Sequence, residues 1–217
     1  MHSVFESAPA TSAIPITFAT ETTWDAIAAD LPEPSRQFAR SCGFSAKAGG
    51  FLALPAANGE IAQVVFGLDN ETAKFRDPFR PGQLPGLLPP GVYRFANVAA
   101  SHAHLATLGF ALGCYRFGRY RKSEAPEVRL VPPDGVDIAE ITRIADGVTL
   151  ARDLVNTPAN DMGPAQLEEA ARKLAERHGA AVSSIVGGRR PDTPPDVLSD
   201  SLVIVFLKPA YGSHSTA

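Results

Sequence analysis

Proline is the feature that most limits what this chain can become. Nineteen of its 217 residues are proline, about 9 % against a usual ~5 %. Each proline inside a helix removes a hydrogen bond and clashes with the preceding turn, at about 3 kcal/mol, which excludes a bundle of long helices. Loops and short strands must be plentiful. Even so, glycine and proline together make only 37 of 217 residues, about 17 %, below the ~25–30 % of low-complexity chains. With 45 % hydrophobic residues, a buried core is expected, on a length that suits one domain with an attachment or two small ones.

A net charge of −3 and a pI near 5.9 supply no general field for nucleic acid or anionic lipid. Cys42 and Cys114 lack metal-ligand spacing, so free thiols in a reducing cytosol are expected. The first 24 residues have no basic start and are broken by Glu6, Pro9 and Pro15, unlike a signal peptide. The longest clear apolar run, Leu202 to Leu207, falls far short of the roughly 20 residues of a membrane helix.

The first twenty residues show neither helical nor strand periodicity and read as an extended lead-in or an edge strand. Residues 24–40 have helical potential interrupted at Pro32 and Pro34, with Ser35 placed as a cap. Two apolar runs, Phe51 to Pro55 and Ile61 to Phe66, flank Asn58-Gly59, a pair that tolerates positive φ and signals an antiparallel hairpin. Residues 75–90 hold seven prolines or glycines and read as a surface loop. Residues 91–96 favour a strand, Ser101 can cap a helix through Gly113 with Leu105, Leu108 and Leu112 on one face, and residues 128–131 form another strand. The alternation predicts a layered α/β domain.

The clearest helix signals follow. Asp137 with Glu140 approximates a capping box, and Ile141, Ile144, Ala145, Val148, Ala151 and Val155 make one apolar stripe. Thr157 ahead of Pro158 ends that helix. A second opens at Pro164 and closes at Gly179, with Glu168–Arg172 and Glu169–Lys173 as i,i+4 pairs on its solvent face.

Between these helices the chain reads Arg-Asp-Leu-Val-Asn-Thr-Pro-Ala-Asn over residues 152–160. This run resembles the leucyl (cytosol) aminopeptidase family of two-metal exopeptidases, which carries a closely similar segment where the N-terminal domain meets the catalytic domain. Residues 87–95 and 108–121 are also similar to its bacterial branch, and the likeness extends from about Phe44 to Val182. The resemblance implies an α/β fold: a macro-domain-like mixed sheet with flanking helices over residues 1–136, then two linking helices and the start of a catalytic domain over 137–182. Residues 183–217 match nothing in the family. A change of coding frame near Val182 would produce such a break, and translating the downstream nucleotides in the other frames tests it.

For the intact family the resemblance implies release of N-terminal residues such as leucine from peptides, in the cytoplasm, with two manganese or zinc ions and usually as a homohexamer. The family's ligands lie in two motifs, T-F-D-S-G-G with its upstream lysine and N-T-D-A-E-G-R, and neither occurs here. Two-metal hydrolysis needs several carboxylates converging on ions ~3.5–4 Å apart. No catalytic or metal-binding residue is therefore assigned, no cofactor is expected for this chain, and its peptide hydrolysis requires a catalytic half. Arg152, Asp153, Asn156, Thr157, Pro158 and Asn160 are read as a structural hinge, Asn156 ending a helix in a left-handed conformation and Asn160 bonding local backbone. His102 and His104 are read as solvent-facing rather than metal-binding. Arg116, Arg119, Arg121 and Lys122, among Tyr115, Phe117 and Tyr120, are read as a charged outer face rather than a nucleic-acid stripe. The alternative to an aminopeptidase fragment is a non-enzymatic module that binds a partner or a nucleotide-like ligand.

Overall fold

The computed structural model describes residues 4–7, 12–121, 127–186 and 203–209, with 184–186 and 203–209 described by backbone alone. The chain divides into two compact units, Met1–Leu150 and Ala151–Ala217.

The first unit is built on five strands: β1 (Ile14–Ala19), β2 (Phe51–Pro55), β3 (Ile61–Gly67), β4 (Gly91–Phe95) and β5 (Val128–Val131). Their order across the sheet is β2-β3-β1-β4-β5. β1 runs parallel to β3 and β4, β4 runs parallel to β5, and β2 alone is antiparallel. The mixed α/β sheet agrees with the expected fold class. The hairpin forms around Asn58-Gly59 as its sequence dictates: Gly59 takes φ 85°, and Asn58 Oδ1 accepts the Glu60 N–H at 3.1 Å.

Successive side chains of a strand face opposite ways, and here both faces are covered. Val64 and Phe66 of β3 join one core with Ile16, Phe18, Tyr93, Phe110 and Leu130, while Val65 joins a second with Leu52, Leu54 and Ala39. Helices α1 (Trp24–Ala29) and α2 (Glu33–Ser41) serve the second core. Helix α3 (Ala100–Gly113) and the start of α4 (Ile138–Asn156) serve the first. Phe18 lies 5.0 Å from Phe95, and Phe95 6.2 Å from Phe110, ring to ring, which ties β1 through β4 to α3.

Several expectations need correction. Ile14–Ala19 is the central strand, not a lead-in; only residues 4–6 behave as an edge, exchanging backbone bonds with Leu130 beside β5. Pro15 is tolerated because the register with β3 begins one residue later, at Ile16. Ser35 is no cap: α2 starts two residues earlier, with Pro32 at its N-cap and Pro34 in its first turn, where the missing N–H has no helical partner to lose. Ser101 likewise lies inside α3, whose N-cap is Ala99 without any side-chain cap. α3 is also buried on more than one face, since Ala103, Ala106, Thr107, Leu108, Gly109, Phe110 and Ala111 are all buried while Leu105 is partly exposed.

Residues 80–86 are not surface loop but a 3-10 turn whose Leu84 is fully buried against that helix. Glycine makes the approach possible. A Cβ on Gly113 would sit 1.9 Å from the Gly82 carbonyl oxygen, and one on Gly82 would sit 2.7 Å from the Gly109 oxygen.

In the second unit, α5 (Pro164–His178) ends on Gly179 at φ 61°, as read from sequence. Its exposed pairs Glu168–Arg172 and Glu169–Lys173 form at 2.6 Å. Strands β6 (Ala180–Val186) and β7 (Val203–Pro209) then pair antiparallel, so the apolar run near residue 205 has a partner strand. Residues 187–202 lie outside the described residues, as does Lys122. The α4 stripe is buried at Ile141 and Ala145 but not at Val155, which is 83 % exposed.

Gly113→Ala is expected to destabilise the fold by about 1–3 kcal/mol, because the new methyl meets backbone that cannot move aside. Urea denaturation measures this, with Gly147→Ala, where a Cβ meets nothing within 4 Å, as the control that should be neutral or slightly stabilising.

Candidate functional site

The three parallel strands β1, β3 and β4 point their carboxyl ends to the same side of the sheet, β4 stopping three residues short of β1, and beyond them lies a crevice of about 710 Å³. This is where open α/β sheets bind ligands, because chains leaving neighbouring strands in opposite directions part and leave a gap. Its floor is apolar, made by Phe18, Ile27, Leu68, Pro81, Leu105 and Ala106.

Each strand end contributes a polar device. After β1, Thr20 and Thr23 exchange bonds in a tight turn: the Thr20 N–H donates to Thr23 Oγ1 at 2.9 Å, and the Thr20 carbonyl accepts from the Trp24 N–H at 2.9 Å. After β4, the Asn97 side chain takes over the role of a strand. Its Oδ1 accepts the Phe18 N–H and its Nδ2 donates to the Phe18 carbonyl, both at 2.8 Å. After β3, Asp69 receives two bonds from Arg80, at 2.8 and 2.9 Å, and a third from the Asp77 N–H at 3.1 Å. Asp77 in turn accepts the Phe79 N–H at 2.9 Å. The loop over 69–80 is thereby folded against the strand ends. The Arg80 hydrogen bonds, helped by the Asp77 N–H, hold the Asp69 carboxyl below its ordinary range.

Other groups at the crevice are not used internally. Glu71 and Arg76 both line it, yet among the described residues neither forms an ion pair. His102 lines it too, on an exposed position of α3. The N–H groups of Val98, Ala99, Ala100 and Ser101 find no partner among the described residues, as follows from a helix start without a cap.

The residues singled out from sequence lie elsewhere. Arg152 to Asn160 begin the second unit, and Arg152, Asp153, Asn156 and Asp161 all have partners. Asn156 is the last residue of α4 and is not left-handed, since Ala46 is the one described non-glycine residue with positive φ. Thr157 closes the helix instead, its N–H and Oγ1 both donating to the Asp153 carbonyl, at 3.1 and 2.6 Å. Asn160 is exposed and makes no side-chain bond among the described residues; the turn is held by the Asp161 N–H on the Pro158 carbonyl at 2.9 Å. Arg116 donates to the Gly113 and Tyr115 carbonyls, completing the end of α3. His104 Nε2 stands 4.0 Å from Glu140. Among the described residues, no three His, Cys, Asp or Glu side chains are grouped to share a metal ion.

Both cysteines are free. Burial pushes the Cys114 thiol up to about 12, whereas Cys42 is exposed. A disulfide-exchange reagent at pH 8 is expected to titrate one thiol in the native protein and two in denaturant; two native thiols would contradict the burial of Cys114. Asp69→Asn should destabilise the protein at neutral pH. Because the folded carboxyl titrates below its unfolded value, the stability lost by the variant is constant above the ordinary carboxylate range and shrinks as pH falls through it. Denaturation midpoints of both proteins from pH 7 to pH 2.5 measure the convergence.

Comparison with known proteins gives a consistent result. A "Probable cytosol aminopeptidase" of Roseiflexus castenholzii is 46 % identical over 82 residues, covering 32 % of this chain and 17 % of that protein. The crystal structure of the cytosol aminopeptidase of Coxiella burnetii superposes with a TM-score of 0.75 at 26 % identity, over 85 % of this chain and 40 % of that one. The bottromycin maturation enzyme BotP, solved in complex with Mn, gives a TM-score of 0.62 at 25 % identity, over 81 % of this chain and 39 % of its own. The chain thus spans well under half the length of these relatives. Residues 14–133, more than half of the chain, match the model of the M17 aminopeptidase N-terminal domain, and the chain belongs to the M17 aminopeptidase family.

Proposed function

We propose that this chain is the N-terminal portion of a leucyl-aminopeptidase-like metallo-exopeptidase and has no peptidase activity by itself. The match of residues 14–133 to the N-terminal domain carries the reading. The sequence supports the second half of it, because neither ligand motif of the family is present. The residues described do not fit a two-ion centre either: no three metal-ligating side chains are grouped, and Asp153 and Asp161 of the signature run already have partners. No catalytic step is therefore routed through this chain's residues.

The intact protein would remove N-terminal amino acids from peptides, in the cytoplasm, using two manganese or zinc ions and assembling as a homohexamer. The segment Arg152, Asp153, Asn156, Thr157, Pro158 and Asn160 would serve as the hinge between its domains. In keeping with such a protein, no described helix is long and apolar enough to cross a membrane. A second reading, a binding module without peptidase chemistry, is favoured by one observation: the crevice at the strand ends, with charged groups left over.

The test compares the purified chain with a version extended through the two family motifs, on leucine p-nitroanilide with added manganese. The chain is expected to be silent and the extended protein active. Turnover by the chain itself overturns the reading, and silence in both favours the binding module.

A further inference from the structure

The volume of the crevice, about 710 Å³, lies within the ~300–1,000 Å³ range of small-molecule sites, too large for a lone ion. Its floor offers Phe18, Ile27, Leu68 and Leu105 to an apolar group. Its rim carries both signs of charge, kept apart. Glu71 and Arg76 line the same space without bridging to each other or to another described residue. Val98 and Ala99, at the uncapped start of α3 and with N–H groups that have no partner among the described residues, line the same crevice as Arg76, and a helix start favours a carboxylate.

The charge balance selects among ligands. Asp69 is neutralised by Arg80, which leaves the carboxylates of Glu71 and Asp77 against the one guanidinium of Arg76. A nucleotide, with two or more negative charges on its phosphates, meets that excess of carboxylate. A zwitterion does not: its ammonium answers Glu71 and Asp77 while its single carboxylate answers Arg76. We propose that the crevice is a binding site for short apolar peptides with free ends, di- or tripeptides whose side chains lie on the floor and whose termini meet Glu71 and Arg76. The choice of peptides among zwitterions rests on the aminopeptidase reading; the zwitterion itself follows from the rim. In an aminopeptidase such a site would let substrate or product peptides bind apart from the catalytic half.

Isothermal titration of the 217-residue chain with leucyl-leucine tests this, beside N-acetyl-leucyl-leucine, leucyl-leucinamide and AMP, with NMR of the recovered peptide to establish that it stays intact. Saturable binding of leucyl-leucine is expected, weakened at least tenfold by capping either end, with AMP weaker still. Arg76→Ala should erase the preference for the free carboxylate over the amide, and Glu71→Gln the preference for the free ammonium over the acetylated form. Both positions are exposed, and unchanged thermal midpoints check that the variants fold. Absence of saturable binding at millimolar peptide, indifference to capping, or tighter binding of AMP each overturns the proposal. None of these outcomes bears on the aminopeptidase reading, which is decided by hydrolysis in the extended protein.

Discussion

The ladder hydrogen bonds on both sides of β1 set the arrangement of the first unit. With β3 on one side from Ile16 to Ala19 and β4 on the other from Ile14 to Ile16, the six-residue strand aligns two elements that lie about 50 and 80 residues further along the chain. Side-chain alternation then forces Ile16 and Phe18 into the core shared with α3, and Ala19 into the opposite one. Because both neighbours are parallel to β1, all three carboxyl ends lie at the same edge of the sheet, and the crevice opens beyond them. The β4 register reaches only Ile16, so the Phe18 backbone would face the crevice unpaired. Asn97 prevents this by pairing both of its polar groups at 2.8 Å, at a position where an apolar residue would leave two backbone groups unsatisfied, roughly 1–3 kcal/mol each where water is excluded.

The polar groups around that crevice divide into those spent on the fold and those that are not. Asp69, Arg80 and Asp77 form one connected set whose hydrogen bonds hold a proline-rich loop against the strand ends. Asp69 and Arg80 are half-buried and Asp77 is exposed, so the value of the set lies in the three hydrogen bonds that hold the loop at Asp69 rather than in a buried charge pair. Glu71, Arg76 and the first N–H groups of α3 have no such internal duty. The same loop therefore supplies a fixed frame at Asp69 and Asp77 and unpaired charge at Glu71 and Arg76, a division that suits a site shaped before its ligand arrives.

Much of this fold is legible locally. Asn58-Gly59 fixes the hairpin because Gly59 supplies the positive φ and the Asn58 side chain accepts the Glu60 N–H, and Pro164 with Gly179 brackets α5 because each is suited to one end of a helix. β1 is not legible in the same way. Pro15 argues against a central strand, and what overrides it is a register offset that only the folded sheet reveals. The 3-10 turn at 80–86 is hidden for a related reason: its glycines and prolines look like loop, whereas Gly82 is there to admit Gly113. The crevice escapes sequence reading because Thr20, Asp69 and Asn97 belong to no motif. The available signal is that the runs of β1, β3 and β4 are each followed within two residues by a polar side chain, which becomes a site only once those strands are known to be parallel.

Helix α4 shows what periodicity does and does not report. Its stripe from Ile141 to Val155 is continuous in sequence, yet Ile141 is fully buried and Val155 is 83 % exposed. The spacing specifies which face is apolar, and packing at its start satisfies that demand through Ile141, Ile144 and Ala145. At the other end the same pattern meets solvent, where the valine forgoes the ~1.5–3 kcal/mol that burial would contribute. The Asp137 cap at 3.0 Å from the Glu140 N–H and the Thr157 closure on Asp153 hold the two ends independently of that stripe. Only the first part of the signature run is therefore helical: residues 152–156 are the last turns of α4, and residues 157–160 leave it where Thr157 closes the helix on the Asp153 carbonyl.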